Sequence, residues 1–320
     1  MVIVTGGAGF IGSCLINYLN NKGIEDIIVV DHMTESDKWK NLIGKKFVDY
    51  LDKDEFRNLV NDDSISYPVN KIYHMGACSA TTEKDVNYLI DNNFAYSKEL
   101  FAFALRNDAQ FIYASSAATY GGGENGYSDK TLDKLRPLNA YGYSKYVFDN
   151  WLHGNGYLNH VLGLKFFNVF GPNEYHKGSM SSMVFKAWKQ VKDTGTVKLF
   201  ESNDPAYVDG GQMRDFIYIK DVCRAIDKLE ENSVRGIYNL GTGKANTWNA
   251  LAGAVFASMN LPVNIEYIKM PESIIRQYQN FTEADMSKFG ESSESFEFMT
   301  LEDSVSDYIN TYLQKDWKYL

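Results

Sequence analysis

The 320-residue chain is expected to be an α/β protein: a doubly wound parallel sheet with helices on both faces, accompanied by a smaller mixed α/β lobe. Three observations point there. Strand-like and helix-like stretches alternate through the first half of the chain. The strands are apolar along their whole length, as in sheets covered on both faces, rather than alternating apolar and polar. A glycine-rich turn joins the first strand to the first helix.

Each element follows in order. "VIVT" (2–5) is a β-branched run, and the stretch from Phe10 to Asn21 reads as a helix leading into the strand "DIIVVD" (26–31). "KIYHMGA" (71–77) is a strand, "SKELFAFALRN" (97–107) a helix, and "AQFIYASS" (109–116) a further strand. A helix follows at 140–150, then the strand "HVLGLKFFNV" (160–169). Past Gly171-Pro172 the pattern turns irregular and more polar. "RDFIYIKDVCRAIDKL" (214–229) reads as a strand or turn leading to a helix that rejoins the sheet, and "GIYNLGTG" (236–243) as one more strand. "EYIKMP" and the acidic, Ser-rich "GESSESFEF" (290–298) belong to the smaller lobe. The expected division is therefore 1–167 plus about 213–243 for a dinucleotide-binding unit, and about 168–212 plus 244–320 for a substrate-binding unit.

Composition narrows the function classes. A net charge of −9 argues against a general nucleic-acid binder, which needs a basic footprint. Three scattered cysteines, Cys14, Cys78 and Cys223, form no CxxC, and the five histidines no HExxH, so neither a disulfide framework nor a metal site is expected. No apolar run reaches the roughly 20 residues of a membrane span. The sequence opens directly on a strand rather than on a secretory leader, so a cytoplasmic location is expected.

"TGGAGFIG" (5–12) sits where a phosphate-binding turn belongs. Gly7, Gly9 and Gly12 satisfy GxGxxG, while Gly6, Gly9 and Gly12 satisfy GxxGxxG. Either spacing allows a tight turn, close backbone approach to a pyrophosphate, and a helix N-terminus aimed at it. Asp31 ends the second strand about 20 residues on, where a ribose ligand is expected.

"AYGYSKYVFDN" (140–150) contains three tyrosines and one lysine. On a helix only residues three or four apart face each other, so Lys145 neighbours Tyr141, while Tyr143 and Tyr146 point elsewhere. An isolated YxxxK is usually a surface pair. Here it follows a glycine turn and the strand end "ASSAATYG" (114–121), in that order.

Those three pieces together resemble the extended short-chain dehydrogenase/reductase family, mostly nucleotide-sugar epimerases and dehydratases on a Rossmann-type fold. "KFFNVFGP" (165–172), "RDFIYIKDV" (214–222) and "YNLGTG" (238–243) are similar to its later signatures, with Lys165 where many members have arginine. "HMGACSATTEKD" (74–85), "DNNFAYSKEL" (91–100), "YASSAATYGG" (113–122) and the uncommon HKGSM within "EYHKGSMSS" (174–182) narrow the resemblance to the epimerases of ADP-heptose. "NDPAYVDGGQMRDF" (203–216) departs from that pattern by being longer ahead of Arg214.

The resemblance implies epimerisation at an exocyclic carbinol by transient oxidation. Tyr141 is the implied acid/base, with Lys145 and the nicotinamide charge favouring its phenolate, and Ser116 bonding the reacting oxygen. Ala117-Ala118 stand where the dehydratases of the family carry an Asp–Glu pair, which argues against elimination. Lys177 is the implied second acid/base, because the ketone must turn about one bond to present its other face; His176 is the weaker candidate. Implied substrate contacts are Ser116, Asn168, Ser179, Lys186, Phe200, Glu201, Ser202, Asn203, Arg214 and Tyr278. Implied cofactor contacts are Gly6, Gly9, Phe10, Ile11, Gly12, Asp31, His32, Lys38, Lys53, Met75, Gly76, Ala77, Cys78, Ser79, Asn92, Lys145, Val169 and Lys177. Asp31 by itself favours NAD; Lys38 and Lys53 match positions of the heptose epimerases, so NADP is expected. A homo-oligomer, a pentamer, is implied by the same resemblance. The alternatives are another nucleotide-sugar epimerase of the UDP-hexose 4-epimerase type, and a non-catalytic cofactor sensor.

Overall fold

The structure, a computed structural model, describes residues 1–275 and 278–320. In chain order, β1 (Val2–Thr5), α1 (Phe10–Asn21), β2 (Ile27–Asp31), β3 (Asp49–Asp52), α2 (Lys53–Asn61), β4 (Lys71–His74), α3 (Val86–Ile90), α4 (Tyr96–Arg106), β5 (Gln110–Ser116), α5 (Ala140–Gly154) and β6 (Val161–Phe166) come first. They are followed by β7 (Asn168–Phe170), α6 (Met183–Thr194), β8 (Val197–Phe200), β9 (Met213–Tyr218), α7 (Ile219–Glu231), β10 (Gly236–Leu240), β11 (Ala245–Thr247), α8 (Trp248–Ser258) and β12 (Ile265–Ile268).

Seven strands form one parallel sheet in the order β10-β6-β5-β4-β1-β2-β3. Successive residues of β1 and β2 face opposite layers. Val4 and Val29 belong to the core shared with α1 and α7, and Ile3 and Ile28 to the core shared with α2, α4 and α5. The chain runs outward in one direction from β1 and in the other from β4. The crevice between them, at the carboxyl ends of the strands, is where doubly wound sheets bind ligands.

Two small sheets, β11-β9-β7 and β12-β8, stand beside this edge. The stretch 214–229, read as a strand or turn leading to a helix that rejoins the sheet, is β9, which pairs with β7 and β11, followed by α7, which returns and packs against α1. The region read as irregular after Gly171-Pro172 holds two full helices, α6 and α8. The buried side of α6 (Val184, Ala187, Trp188, Val191) follows helical spacing between lysines, a signal present in the sequence. Ser182 caps it, accepting from the Phe185 N–H at 3.2 Å. Among the described residues no helix is long and apolar enough to cross a membrane.

Candidate active site

A cavity of about 1110 Å³ opens at the carboxyl ends of β1, β4 and β5 and extends beneath the two small sheets. Its floor is the glycine turn. Gly6 has φ +64°, and a Cβ there would lie 2.6 Å from Gly76 Cα; one on Gly12 would lie 2.2 Å from the Gly6 carbonyl oxygen. Only hydrogen fits at either position, so α1 begins tight against the strand. Its N-cap, Gly9, supplies no side-chain acceptor, so the first-turn N–H groups are left for a ligand. This cradle fits the pyrophosphate of a dinucleotide. At its end the Asp31 carboxylate accepts from the Ala8 N–H (2.9 Å), the His32 N–H (2.7 Å) and the Lys38 ammonium (2.6 Å).

The turn after β4 is pinned by a chain of polar bonds. The Cys78 N–H donates to Asn93 Oδ1 (2.8 Å), while Asn93 Nδ2 donates to the Cys78 carbonyl (3.0 Å) and to Ser144 Oγ (2.9 Å). Ser144 Oγ in turn donates to the Tyr141 carbonyl at 2.7 Å. Asn93 sits in a π-helical turn, Asp91–Ala95, between α3 and α4. On the far side of the same turn His74 is buried between Thr5 (2.7 Å) and Ser97 (2.9 Å), and burial pushes its pKa down to about 3, so it is neutral.

The inner face of α5 carries Tyr141, 9% exposed, and Lys145, 5% exposed, whereas Tyr143 is 47% exposed. Asn139 caps the helix, accepting from the Gly142 N–H at 2.8 Å. Gly142 permits its close approach to the turn after β5, since a Cβ there would meet the Ala118 carbonyl oxygen at 2.6 Å. Burial raises the Tyr141 pKa above its ordinary value, and the hydrogen bond with Ser116 pulls it partly back. The Lys145 ammonium donates to the Ala114 carbonyl (2.8 Å), and burial brings its pKa down to about 8, with Asp149 holding it up.

One turn further along α5, Asp149 is sealed in the core. Its carboxylate accepts from Tyr113 (2.8 Å), Ser115 (2.7 Å) and the Lys165 ammonium (2.5 Å), which also donates to Thr119 Oγ1 at 2.7 Å. Lys165 thus acts as a counter-ion beneath the site.

The turn Tyr175–Met180 brings Lys177 to the cavity wall, with its ammonium 5.6 Å over the Phe10 ring. Burial lowers the Lys177 pKa, with the Glu174 carboxylate opposing the shift. Among the described residues its ammonium makes no ion pair or hydrogen bond. At the far end Arg214 is 7% exposed and forms no ion pair among the described residues. Its guanidinium lies 5.1 Å from the Tyr278 ring and 5.6 Å from that of Trp248. A nearly buried cation between two aromatic faces, with no carboxylate partner, is a place for an anion.

Of the expected cofactor contacts, Gly6, Gly9, Phe10, Ile11, Gly12, Asp31, Lys38, Met75, Gly76, Ala77, Cys78, Ser79, Lys145, Val169 and Lys177 line the cavity. Ser116, Tyr141, Asn168, Lys186, Phe200 and Tyr278 line it too. Arg214 is not itself among the lining residues, but it packs against the rings of Trp248 and Tyr278, which are. His32, Lys53, Asn92, Ser179, Glu201, Ser202 and Asn203 do not reach the wall. Lys53 bonds Asn92 Oδ1 (3.1 Å), His32 faces Asp52 (3.1 Å), and Ser179 offers its carbonyl to Lys186 (2.6 Å). Ser202 turns to Asp209 and Asp204 in the long 203–213 loop. Trp248 and Asn93 were not anticipated. Trp248 comes from a helix the sequence reading passed over, and Asn93 was masked by its neighbour Asn92. Among the described residues the one cluster with metal-ligand composition is His32, Asp52 and Asp54, partly exposed and off the cavity wall.

Residues 2–241 match the family described as NAD dependent epimerase/dehydratase. The chain is 51% identical over 316 residues to the ADP-L-glycero-D-manno-heptose-6-epimerase of Nitratidesulfovibrio vulgaris, covering 98% of each. It is 46% identical over 332 residues to that of Fusobacterium nucleatum, covering all of both. Among solved structures it is similar to the Helicobacter pylori ADP-L-glycero-D-manno-heptose-6-epimerase, at a TM-score of 0.81 and 28% identity, covering 97% of this chain and 95% of that one. The fold, at 22% identity and a TM-score of 0.80, is also that of the Methanobrevibacter ruminantium UDP-N-acetylglucosamine 4-epimerase, with 97% and 96% covered.

Proposed function

The chain belongs to the NAD dependent epimerase/dehydratase family, and from that premise we propose that it inverts C6″ of ADP-D-glycero-D-manno-heptose to give ADP-L-glycero-D-manno-heptose. A nicotinamide dinucleotide, when bound, would supply the reversible hydride acceptor, and its positive ring would join Lys145 in favouring the Tyr141 phenolate. The residues of the chain handle protons, charge and orientation. Tyr141 exchanges the carbinol proton of one epimer, with Ser116 bonded to the same oxygen. Lys145 donates to the ribose of the dinucleotide. Arg214, stacked between Trp248 and Tyr278, takes the sugar-nucleotide diphosphate. Because the carbinol lies outside the ring, the oxidised sugar turns about one bond and its oxygen moves to a second proton partner, Lys177. Burial lowers the Lys177 pKa, which eases removal of its proton.

The observation that supports this reading is that Tyr141, buried, and Lys177, partly buried, line one cavity, each carrying a group able to exchange a proton. NADP is the proposed form of the cofactor. The Asp31 carboxylate is already matched by Lys38 at 2.6 Å, which offsets its repulsion of a 2′-phosphate and leaves a cation at the cavity wall. Lys38 carries this preference more directly than Lys53, which is turned toward Asn92 and Asp54. NMR of ADP-D-glycero-D-manno-heptose incubated with the NADP-loaded protein tests the function. Growth of the C6″ epimer supports it, and inversion at a ring carbon, or no second epimer, refutes it.

A further inference from the structure

Among the described residues the ammonium of Lys177 has no bond of its own, so its place in the cavity is set by the backbone of the turn that carries it. That turn belongs to no sheet. Besides the Glu174 carboxylate, which accepts from Ser182 and Tyr308, it is held from two sides at Asn173, which is fully buried and has φ +75°, in the left-handed region that side-chain-bearing residues rarely enter. Asn173 Nδ2 donates to Ser13 Oγ on α1 (2.9 Å), and the Asn173 carbonyl accepts from Asn41 Nδ2 (3.0 Å). Asn41 Nδ2 also reaches the Ala8 carbonyl of the glycine turn at 2.9 Å. These bonds tie the Lys177 turn to the dinucleotide cradle.

The other side is held by the last residues of the sequence. The Leu320 N–H donates to Asn173 Oδ1 at 2.9 Å, and the Leu320 carbonyl accepts from the Lys45 ammonium. The Tyr175 hydroxyl donates to the Lys318 carbonyl at 2.6 Å. The Tyr175 ring meets Tyr319 edge-on at 5.2 Å and lies 4.7 Å below the Lys318 ammonium. Every one of these contacts falls on Asn173 or Tyr175, two to four residues before Lys177, or on the lysine that anchors the strap. None falls on the Tyr141 side of the cavity.

We propose that residues 317–320, acting through Asn173 and Tyr175, form a strap that positions Lys177 for the second proton transfer. This rests on the proposed role of Lys177. The strap residues are positioning residues and touch no reacting atom.

Two variants and a deletion test it: a chain ending at Asp316, Asn173→Gly, which keeps the left-handed backbone but loses both side-chain bonds, and Tyr175→Phe, which loses only the bond to Lys318. Epimerisation kcat is expected to fall about 10²-fold in the first two, the effect of about 1 Å of misplacement, with KM almost unchanged. Tyr175→Phe should fall in the same direction by less. Acylation of the Lys177 amine, read by peptide mass spectrometry, should become several-fold faster in the cofactor-loaded protein as the turn loosens. In a Lys177→Met background the deletion should leave the residual oxidation and reduction of an aldehyde analogue unchanged, because the strap acts through that lysine. Unchanged kcat in both the deletion and Asn173→Gly, or unchanged Lys177 labelling, overturns the proposal. So does an equal loss of residual redox activity with and without Lys177, which marks a general structural role. Normal epimerisation by Lys177→Met alone instead removes the proton role of Lys177, while the labelling rate still reports whether the strap holds its amine.

Discussion

Replacing Lys165 by Met tests how the floor of the site is held. The Lys165 and Asp149 side chains are 0% and 1% exposed and 2.5 Å apart. Met has nearly the shape of Lys, so the change removes a charge and little volume. It strands the Asp149 carboxylate in the core with only the Tyr113 and Ser115 hydroxyls as donors. Breaking a buried pair from one side leaves an uncompensated charge and typically costs about 3–5 kcal/mol. Urea unfolding followed by tryptophan fluorescence should register a loss of that order. Adding Asp149→Asn removes the stranded charge and keeps an acceptor for Tyr113, so the double variant should regain about 2 kcal/mol or more. The same pair bears on chemistry, because the Asp149 charge holds up the Lys145 pKa, which burial brings to about 8. Asp149→Asn should move that pKa lower still, so the Lys145 ammonium is kept only at lower pH, and dinucleotide affinity should fall at a lower pH than in the parent. A loss below about 1 kcal/mol for Lys165→Met, or a double variant no more stable than the single one, contradicts this account of the ion pair.

Three further outcomes are expected. Tyr141→Phe should reduce epimerisation by about 10²–10⁴-fold with the dinucleotide still bound, whereas the exposed Tyr143→Phe should do far less; steady-state kinetics with a binding titration separates them, and equal damage refutes the assignment. Lys38→Ala should shift cofactor preference from NADP toward NAD, measured by calorimetric titration, with Lys53→Ala contributing less; equal loss for both dinucleotides removes Lys38 from 2′-phosphate recognition. Lys177→Met should bind both ligands yet fail to interconvert the epimers, and near-normal turnover returns that lysine to a passive role.

The legible and hidden parts of the molecule divide along physical lines. The central strands were readable because both their faces are covered, which makes each a continuous apolar run. The edge strand β3, "DYLD", is half exposed and carries no such signal. Strands β7 and β11 have three residues each, too short for any pattern, and β9 is buried like a strand of the main sheet while pairing in the small one, so its sequence does not tell the two apart. The cradle for the pyrophosphate was readable because it is local backbone geometry, written as glycines at fixed spacing. The Tyr141–Lys145 face was readable because helical geometry fixes which residues share a side. The aromatic clamp on Arg214 was only partly visible, since Trp248 and Tyr278 meet it through long-range packing that no spacing encodes. The upward push that burial gives the Tyr141 pKa was not legible, because burial is set by long-range packing rather than by the residue's type.

The central claim is that the hydrogen on C6″ leaves as hydride and returns to the same carbon. It is tested most directly with ADP-D-glycero-D-manno-heptose deuterated at C6″, incubated with the NADP-loaded protein in ordinary water and followed by NMR and mass spectrometry. Hydride transfer within a closed site predicts that the epimerised product keeps the deuterium at C6″. Replacement of that deuterium by solvent hydrogen as the epimer forms would mean that the carbon is deprotonated instead, and would contradict the account.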